Sequence, residues 1–434
     1  MRLTIRTNSC SQKPTFFFRR KFRFKWKKIL QFYCRAIIGP VFYTLLTAIP
    51  AWGDDFQFTP SINMKEEYVD NIFWSSTDKN KDAITTLSPG LELTERTEKA
   101  NVELLGNIDF RIYGENKDLD AVDQNYMGSM DYRFSPKFSI ASEAKFVEDS
   151  KPDRDLESSG ILLGNLDRKR YYGNLLCDYQ FSEITSGNIS YVYEQDDYDE
   201  EDLLNESVSD LKAHSIFLTA SRDLSLYIPN LLGQLTVSSA KYSFSNQKLD
   251  QNYVMGNAKW GMNEKMVFAL NLGILHTRTV FTDIQFDPIS YQYKTVENAY
   301  EQTGWVGQTA ISYQGEKIFS QLSYSYDVKP ASGRNGATQR ENFKLMVSRR
   351  FTYEFFGYLY IIYYSNKANA FELATNNINE DTFSIIPTLQ YSFSTKLALE
   401  GACGYTKILD KLKSQTVNRS SIYIKLSYNY EMLK

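Results

Sequence analysis

The strongest constraint on the fold of this chain is an apolar side chain at every second position, repeated from Asp54 to the C-terminus. The helical period is almost absent there. A period of two is the pattern of a β-strand with one apolar and one polar face. One segment shows it in the residues Ala100, Val102, Leu104, Gly106, Ile108, Phe110 and Ile112, which alternate with mostly polar neighbours. The pattern predicts an all-β body.

Counting the alternating segments gives eighteen strands, with sixteen as the other possibility. The segments at 232–246 and 355–367 alternate poorly, and the second is apolar on both faces. The predicted strands are 56–68, 82–94, 100–114, 122–134, 137–148, 167–180, 185–198, 210–222, 232–246, 250–262, 265–278, 299–313, 316–328, 338–352, 355–367, 380–393, 397–409 and 419–430.

The connections between these segments alternate between short and long. Short turns with long opposite loops are typical of an up-and-down membrane barrel with its turns in the periplasm. Segments of about 12–14 residues are long for a soluble sandwich or propeller, which is the alternative. We therefore predict a closed, antiparallel transmembrane β-barrel in the outer membrane of a Gram-negative bacterium. An even strand number places both termini in the periplasm.

The first 53 residues differ from the rest in charge. They hold 11 of the 49 basic residues and none of the 52 acidic ones, which leaves 38 basic and 52 acidic residues in the body. The basic stretch 19–28 precedes an apolar run at 36–49 and the small residues Ala51 and Gly53. This order is that of a secretory signal peptide. We predict a cleaved signal peptide at 1–53 and a barrel at 54–434. An uncleaved anchor is the alternative.

Composition excludes several classes of function. The acidic body disfavours nucleic acid, because phosphate binding needs a basic surface. His214 and His276 both fall on the lipid-facing phase near a rim, and no nucleophile motif accompanies them. We predict no enzymatic activity, no cofactor and no metal site. The acidic run 194–202 could hold Ca²⁺, but it lacks a fixed ligand spacing. Cys177 and Cys403 are expected to stay unpaired, because they fall on distant strands.

The polar phase of the strands should line the lumen. Arginine is the residue best suited to grip an anionic solute, because its guanidinium binds carboxylate or phosphate at two points. The alternative is that inward charges pair with one another and only hold the barrel open. The candidates for the solute path are Glu103, Asp109, Arg111, Arg133, Lys145, Arg168, Arg170, Lys344, Arg350 and Lys425.

Residues 61–73 read SINMKEEYVDNIF, and residues 82–91 read DAITTLSPGL. This pair of segments resembles the opening hairpin of a family of β-barrel porins (β-barrel porin type 2) associated with exopolysaccharide gene clusters. The resemblance implies an outer-membrane location and a genetic context. Its members have no assigned chemistry. The residues that carry the resemblance are Tyr68, Asp70, Asn71, Ile72, Phe73, Asp82, Ser88, Pro89 and Gly90. Ser88, Pro89 and Gly90 should form a kink or bulge, because proline cannot donate to a ladder. Barrel-closing architecture is the favoured role of this segment.

These observations predict an outer-membrane channel that passes an exopolysaccharide or its fragments. A general or sugar-uptake porin is one alternative. A structural or surface-interaction barrel without an open pore is another. The expected partners are outer-membrane lipid and lipopolysaccharide, the barrel-insertion machinery, and polysaccharide with periplasmic export components. No nucleic acid is expected.

Overall fold

The structure, a computed structural model, describes residues 55–153, 166–198, 209–245, 247–287, 291–330, 336–370, 372–374 and 377–432. The predicted signal peptide and its cleavage site lie outside these residues and stay a prediction. The strands are β1 Asp55–Val69, β2 Asp82–Arg96, β3 Ala100–Tyr113, β4 Ala121–Ser135, β5 Phe138–Asp149, β6 Arg168–Ser182, β7 Thr185–Tyr198, β8 Leu211–Asp223, β9 Leu231–Phe244, β10 Gln247–Gly261, β11 Met266–Asp287, β12 Gln292–Gln314, β13 Ile318–Pro330, β14 Ala337–Arg350, β15 Phe355–Ala368, β16 Ile378–Ser392, β17 Leu397–Asp410 and β18 Gln415–Asn429.

The eighteen strands form one closed barrel. Each strand pairs antiparallel with the next along the chain, and β18 returns to pair with β1, from Ser61 opposite Asn429 to Val69 opposite Ser421. The prediction of a closed, up-and-down antiparallel barrel with eighteen strands is confirmed. A 3-10 turn at Lys117–Leu119 is the only helical element within the described ranges. None of the described residues forms a helix long and apolar enough to cross a membrane.

Most strand ends lie within three residues of the sequence prediction. The largest differences are at β11, which continues to Asp287, and β12, which already begins at Gln292. Most of the loop predicted at 279–298 is therefore a continuation of this hairpin. The prediction ended β11 at 278, although Val280, Ile284 and Phe286 continue the alternation of apolar residues along this strand.

The outer surface of the barrel carries the apolar phase of the strands. Large apolar side chains lie exposed on it because the fold leaves that face uncovered. Examples from four strands are Leu104, Ile189, Leu272 and Ile424. His214 and His276 also face outward, next to Tyr191 and Thr303 respectively. The face predicted to contact lipid is thus the outer face of the barrel.

The upper part of β13, on the long-loop side, leaves its neighbour and bends into the barrel. β12 and β13 pair only over 307–314 on β12, although both strands continue beyond that point. The carbonyl oxygen of Val328 on β13 instead accepts a hydrogen bond from Gln251 Nε2 on β10, at 3.1 Å. Leu211, Phe244 and Leu249 of β8–β10 pack with Ala337 of β14, and Val328 lies against this cluster.

Cys177 and Cys403 are both free, as predicted. Cys177 lies on β6 and Cys403 on β17, and both face outward by strand alternation. The separation that the sequence predicted around the barrel keeps the two thiols apart.

Candidate solute path through the barrel

The ten candidate residues all occupy inward-facing positions of their strands. Asp109, Arg111, Lys145 and Lys425 line one cavity of about 800 Å³ inside the barrel. Arg133 lines a separate recess at the short-turn end of β4 and β5. Strand register places Glu103, Arg168, Arg170, Lys344 and Arg350 on the same inner face. Their role toward a solute stays a prediction.

Three of the candidate arginines bind carboxylates of neighbouring strands. Arg111 Nε lies 2.8 Å from Asp123 Oδ2. Arg168 Nη2 lies 3.0 Å from Asp149 Oδ2. Arg170 contacts both oxygens of Asp196, a residue that is almost fully buried.

Arg111 also donates to Tyr113 Oη at 3.0 Å and to Ser150 Oγ at 2.7 Å. Because Arg111 and Arg168 are nearly inaccessible, their charges act within the wall, where each is paired with a carboxylate. This is the pairing alternative that the sequence left open, realised at these positions.

The candidate lysines are more accessible. Lys145 Nζ lies 2.5 Å from Glu143 Oε1, and about two-fifths of its side chain is exposed. Lys425 Nζ lies 3.4 Å from Glu400 Oε1. Lys65 is a further lysine on the cavity wall, paired with Glu67 at 2.7 Å. Such partly exposed pairs are weak, so these ammonium groups can exchange partners.

The two remaining cationic candidates make other contacts. Lys344 Nζ lies over the ring of Tyr360 at 5.4 Å from its centroid. Arg350 sits at the short-turn end, where it donates to the carbonyl oxygen of Glu316 at 3.2 Å and stacks over Tyr353. Neither lies on the wall of the main cavity.

A short segment after β5 crosses the interior and narrows it. Arg419 Nη1 on β18 donates to Asp153 Oδ2 at 2.8 Å. The guanidinium of Arg419 also lies over the ring of Trp74, 4.6 Å from its centroid. The main cavity and a smaller one of about 180 Å³ both border Asp153 and Arg419. This contact, here called the cross-barrel clasp, therefore stands between two inner spaces.

The charge environment of the clasp fixes its ionisation. Burial would raise the pKa of Asp153, but the positive charges of Arg419 and Lys151 outweigh burial. Hydrogen bonds to the carboxylate act in the same direction, and the pKa ends below its ordinary 3.8. Asp153 is thus ionised at every pH at which the barrel would ordinarily work.

Several residues of this interior were absent from the sequence prediction. Strand parity could have found most of them, because Asp123, Asp149 and Asp196 share the phase of predicted inward residues on their own strands. Arg340, which lies over the Tyr364 ring, has the phase of Lys344. Asp153 had no such signal, because it lies in a connection and its partner is far away in sequence.

The residues that carry the family resemblance serve barrel architecture at the long-loop end of the β1–β18 seam. Asn71 Nδ2 donates to the carbonyl oxygens of Ser75 and Asn418. Asp70 Oδ1 accepts from the backbone N–H of Ser420 at 2.7 Å. Ile72 packs with Val69, Ile84 and Tyr113 in a buried cluster. Tyr68 and Phe73 are exposed.

The second half of the motif organises β2. The carboxylate of Asp82 accepts from the backbone N–H groups of Glu115 and Asn116 and fixes the loop after β3. The ladder to β3 has no pair at Ser88 or Pro89 and resumes at Gly90 in the same register. The sequence predicted a kink or bulge here, and the unchanged register excludes a bulge against β3. A Cβ at Gly90 would lie 2.6 Å from Ser61 Oγ and 3.3 Å from the carbonyl oxygen of Gly106, so this position is closely packed.

No group of candidate metal ligands occurs among the residues that the structure describes. The acidic run 194–202 is only partly within them, since 199–208 lies outside. Of its described members, Asp196 binds Arg170 on the inner side, and Asp197 accepts from Gln195 Nε2 on the outer side.

Comparisons with known proteins find similar solved structures but no family. No protein-family model matches the chain, and no curated protein matches it. The resemblance to the exopolysaccharide-associated family is therefore not confirmed. Solved structures are similar in fold: OccK2 (OpdF) of Pseudomonas aeruginosa at 10% identity and a TM-score of 0.48, over 88% of this chain and 100% of that one. OccAB1 of Acinetobacter baumannii has 12% identity and the same TM-score, over 88% and 98%.

A further structure shows OccK2 in complex with glucuronate, at 9% identity and a TM-score of 0.47, over 88% of this chain and 100% of that one. OccK2 and OccAB1 are outer-membrane porins with eighteen strands. The closed eighteen-stranded barrel of this chain rests on its own strand pairing. The similar structures are porins and transporters and not enzymes.

Proposed function

We propose that this chain is an outer-membrane channel through which small hydrophilic solutes diffuse. The observation that carries the proposal is a polar cavity of about 800 Å³ inside a closed barrel whose outer face is apolar. A strand crosses a bilayer only if the barrel is closed and its lipid-facing side chains are apolar. The outer membrane is the natural site of such a barrel. The short turns and both chain ends would then face the periplasm.

The interior favours a narrow path over a wide pore. The cross-barrel clasp stands in the lumen on one side, and the inward bend of β13 fills it on the other. Lysines and carboxylates alternate on the remaining wall, together with the amides of Asn63, Asn107 and Asn125. This mixture suits solutes rich in hydroxyl groups that carry one or few charges, such as small sugars and sugar acids.

Passage of an exopolysaccharide or its fragments is the second candidate. It rests on the resemblance of residues 61–91 to the exopolysaccharide-associated porins, together with the amide-rich wall. Its partners would be the polysaccharide and periplasmic export components. A barrel closed by its own loops, with a structural or surface role, is the third reading. The inward packing of β13 against β10 favours it.

The terminal strand fits a partner in biogenesis. Ile424, Leu426, Tyr428 and Tyr430 form an apolar and aromatic outer face on β18. Such a face suits recognition by the barrel-insertion machinery, so we propose that machinery as a partner.

Conductance in planar bilayers and swelling of proteoliposomes in sugars of increasing size test these readings together. The channel proposal expects stable conductance and uptake of mono- and disaccharides. Absence of both, in protein whose gel mobility is heat-modifiable and which is therefore folded, leaves only the closed barrel. Loss of secreted polysaccharide in a deletion strain, with normal sugar uptake, would instead establish the second candidate.

A further inference from the structure

An apolar groove runs along the outer surface of β8–β11. It has a volume of about 560 Å³ and is lined mainly by Ile216, Leu218, Val237, Ser239, Val254 and Ile274. The small Ser239 and Gly256 leave space between the larger side chains, and Gly256 is exposed on this face. A groove of this shape on the outside of a barrel accepts a flexible apolar chain.

Positive side chains gather directly above the groove, toward the long loops. The pairing register places His214, Lys241, Asp250 and Arg278 side by side on β8, β9, β10 and β11. The next outward-facing row, toward the long loops, carries Lys212 and Lys248, which come two residues before His214 on β8 and two residues before Asp250 on β10. The four cationic side chains of these rows are exposed, namely Lys212, Lys241, Lys248 and Arg278.

Acidic side chains also enter these rows, and they do not cancel the charge. Asp250 lies between Lys241 and Arg278, and Glu301 Oε1 lies 3.2 Å from Arg278 Nε. Within these two rows, four cations thus face two carboxylates. Other strands carry single outward cations in their long-loop half, namely Lys169, Lys367 and Lys407, as well as carboxylates such as Glu66, Glu148 and Glu341. The β8–β11 sector differs because its cations lie together on neighbouring strands.

We propose that this sector binds a phosphorylated glycolipid of the outer leaflet, a molecule of the lipid A type. Its acyl chain lies in the groove below His276, and its phosphates lie against Lys241, Lys248 and Arg278. An acyl chain gains free energy from apolar contact, and clustered cations at a membrane surface attract anionic head groups. This inference rests on the proposed outer-membrane location.

Charge complementarity decides the choice of occupant. A second copy of the chain would bring the same positive surplus to the interface, and like charges opposed to one another repel. A neutral phospholipid would use the groove and leave the cations without a counter-charge. A lipid whose phosphates are attached directly to its acylated sugar matches both parts of the sector at once.

The test is titration of the folded, full-length barrel in detergent with lipid A carrying two phosphates, followed by native mass spectrometry. The variant K241Q/K248Q/R278Q should bind about tenfold more weakly, on the scale of several surface cations acting together. The matched control K169Q/K367Q/K407Q removes three exposed outward cations from β6, β15 and β17 and should bind like the original protein. Dephosphorylated lipid A should bind the original protein as weakly as the first variant binds the phosphorylated form.

Ser239→Trp fills the groove and should weaken binding of both lipids. Equal affinity of the two triple variants would overturn the proposal, as would equal affinity for the two lipids. If the first variant fails to fold, K241R/K248R with R278K keeps the charges and must bind normally. Lipid binding is measured in detergent, so its result does not depend on whether the barrel conducts. If the barrel does not conduct but still binds phosphorylated lipid A more tightly than the dephosphorylated form, the channel proposal fails and this inference stands.

Discussion

Two parts of the barrel interior differ in the side chains that they turn inward. The wall formed by β1–β5, here called the cavity wall, presents charged and amide side chains to an open space. The upper wall formed by β8–β10, here called the packed wall, presents Leu211, Phe244 and Leu249 to β14. Where the chain itself fills the space, the inward phase includes buried apolar side chains, as in any protein core. The buried polar side chains Gln247 and Gln251 on β10 donate hydrogen bonds to the carbonyl oxygens of Leu373 and Val328.

The largest expected effect concerns the buried ion pair of the cavity wall. Arg111→Ala leaves the buried Asp123 with only Lys151, whose Nζ lies 3.5 Å from Asp123 Oδ2, so a loss of about 3 kcal/mol is expected, at the low end for a broken buried ion pair. The free energy of unfolding should fall by that amount in urea titrations of the barrel in lipid. The double variant R111A/D123A should regain most of the loss, because no charge is then left alone. Equal losses in both would show that the pair is not the source of the stability.

Leu249→Ala tests the packed wall by opening a void in its core. Leu249 is completely buried, so the free energy of unfolding should fall by about 3 kcal/mol. Val254→Ala is the matched control, because Val254 lies on the exposed outer face of the same strand. This change should alter the free energy of unfolding by less than about 1 kcal/mol. A similar loss in both variants would contradict the difference between the two sides of β10.

The cross-barrel clasp separates two inner spaces, so releasing it should widen the path. Asp153→Asn and Arg419→Gln should each raise single-channel conductance and leave the gel-shift assay of folding unchanged. Lys81→Gln, in an exposed loop position, is the control. Unchanged conductance in both clasp variants would place the narrowest point elsewhere.

The pH dependence of the clasp has a definite sign. Because the pKa of Asp153 is lowered in the folded protein, the contact is complete above the ordinary value of 3.8. It is lost only as pH falls through the still lower folded pKa. Conductance should therefore stay constant from neutral pH to about pH 4 and rise below that. Asp153→Asn should abolish the acid step. A step between pH 5 and 7 would contradict this assignment.

The smallest expected effect is a shift of ion selectivity on the cavity wall. The variant K65Q/K145Q/K425Q removes three partly exposed positive charges that face the cavity. The reversal potential in a salt gradient should move toward cation preference, because carboxylates then dominate the wall. Lys344→Gln, which faces inward but does not line the cavity, should leave the reversal potential unchanged.

The same comparison explains what the sequence could predict. Alternation sets which face of each strand points inward, so the fold, the strand number and the inward position of all ten candidates followed from period and parity. Ion pairs such as Arg111 with Asp123 lie on adjacent strands and were within reach of the same parity argument. The poor alternation of 355–367 arises because Ile362 and Tyr364 face inward yet are buried, so both faces of β15 need apolar side chains.

Long-range contacts of the connections were beyond this reasoning. Asp153 meets Arg419, and Gln247 Nε2 donates to the carbonyl oxygen of Leu373, across large separations in sequence. Neither contact leaves a periodic trace, because a single polar side chain in a loop is compatible with many partners. The size of the path was unpredictable for the same reason.

The short pairing between β12 and β13 has a mechanical consequence for the whole barrel. Among the described pairings, this seam has the fewest ladder pairs, confined to 307–314 on β12 and 319–326 on β13. A closed sheet must break one seam before it can open into a ribbon, and the seam with fewest hydrogen bonds opens at the lowest free energy. Amides on both sides of it should exchange with deuterium first, and force applied across the barrel should tear it there.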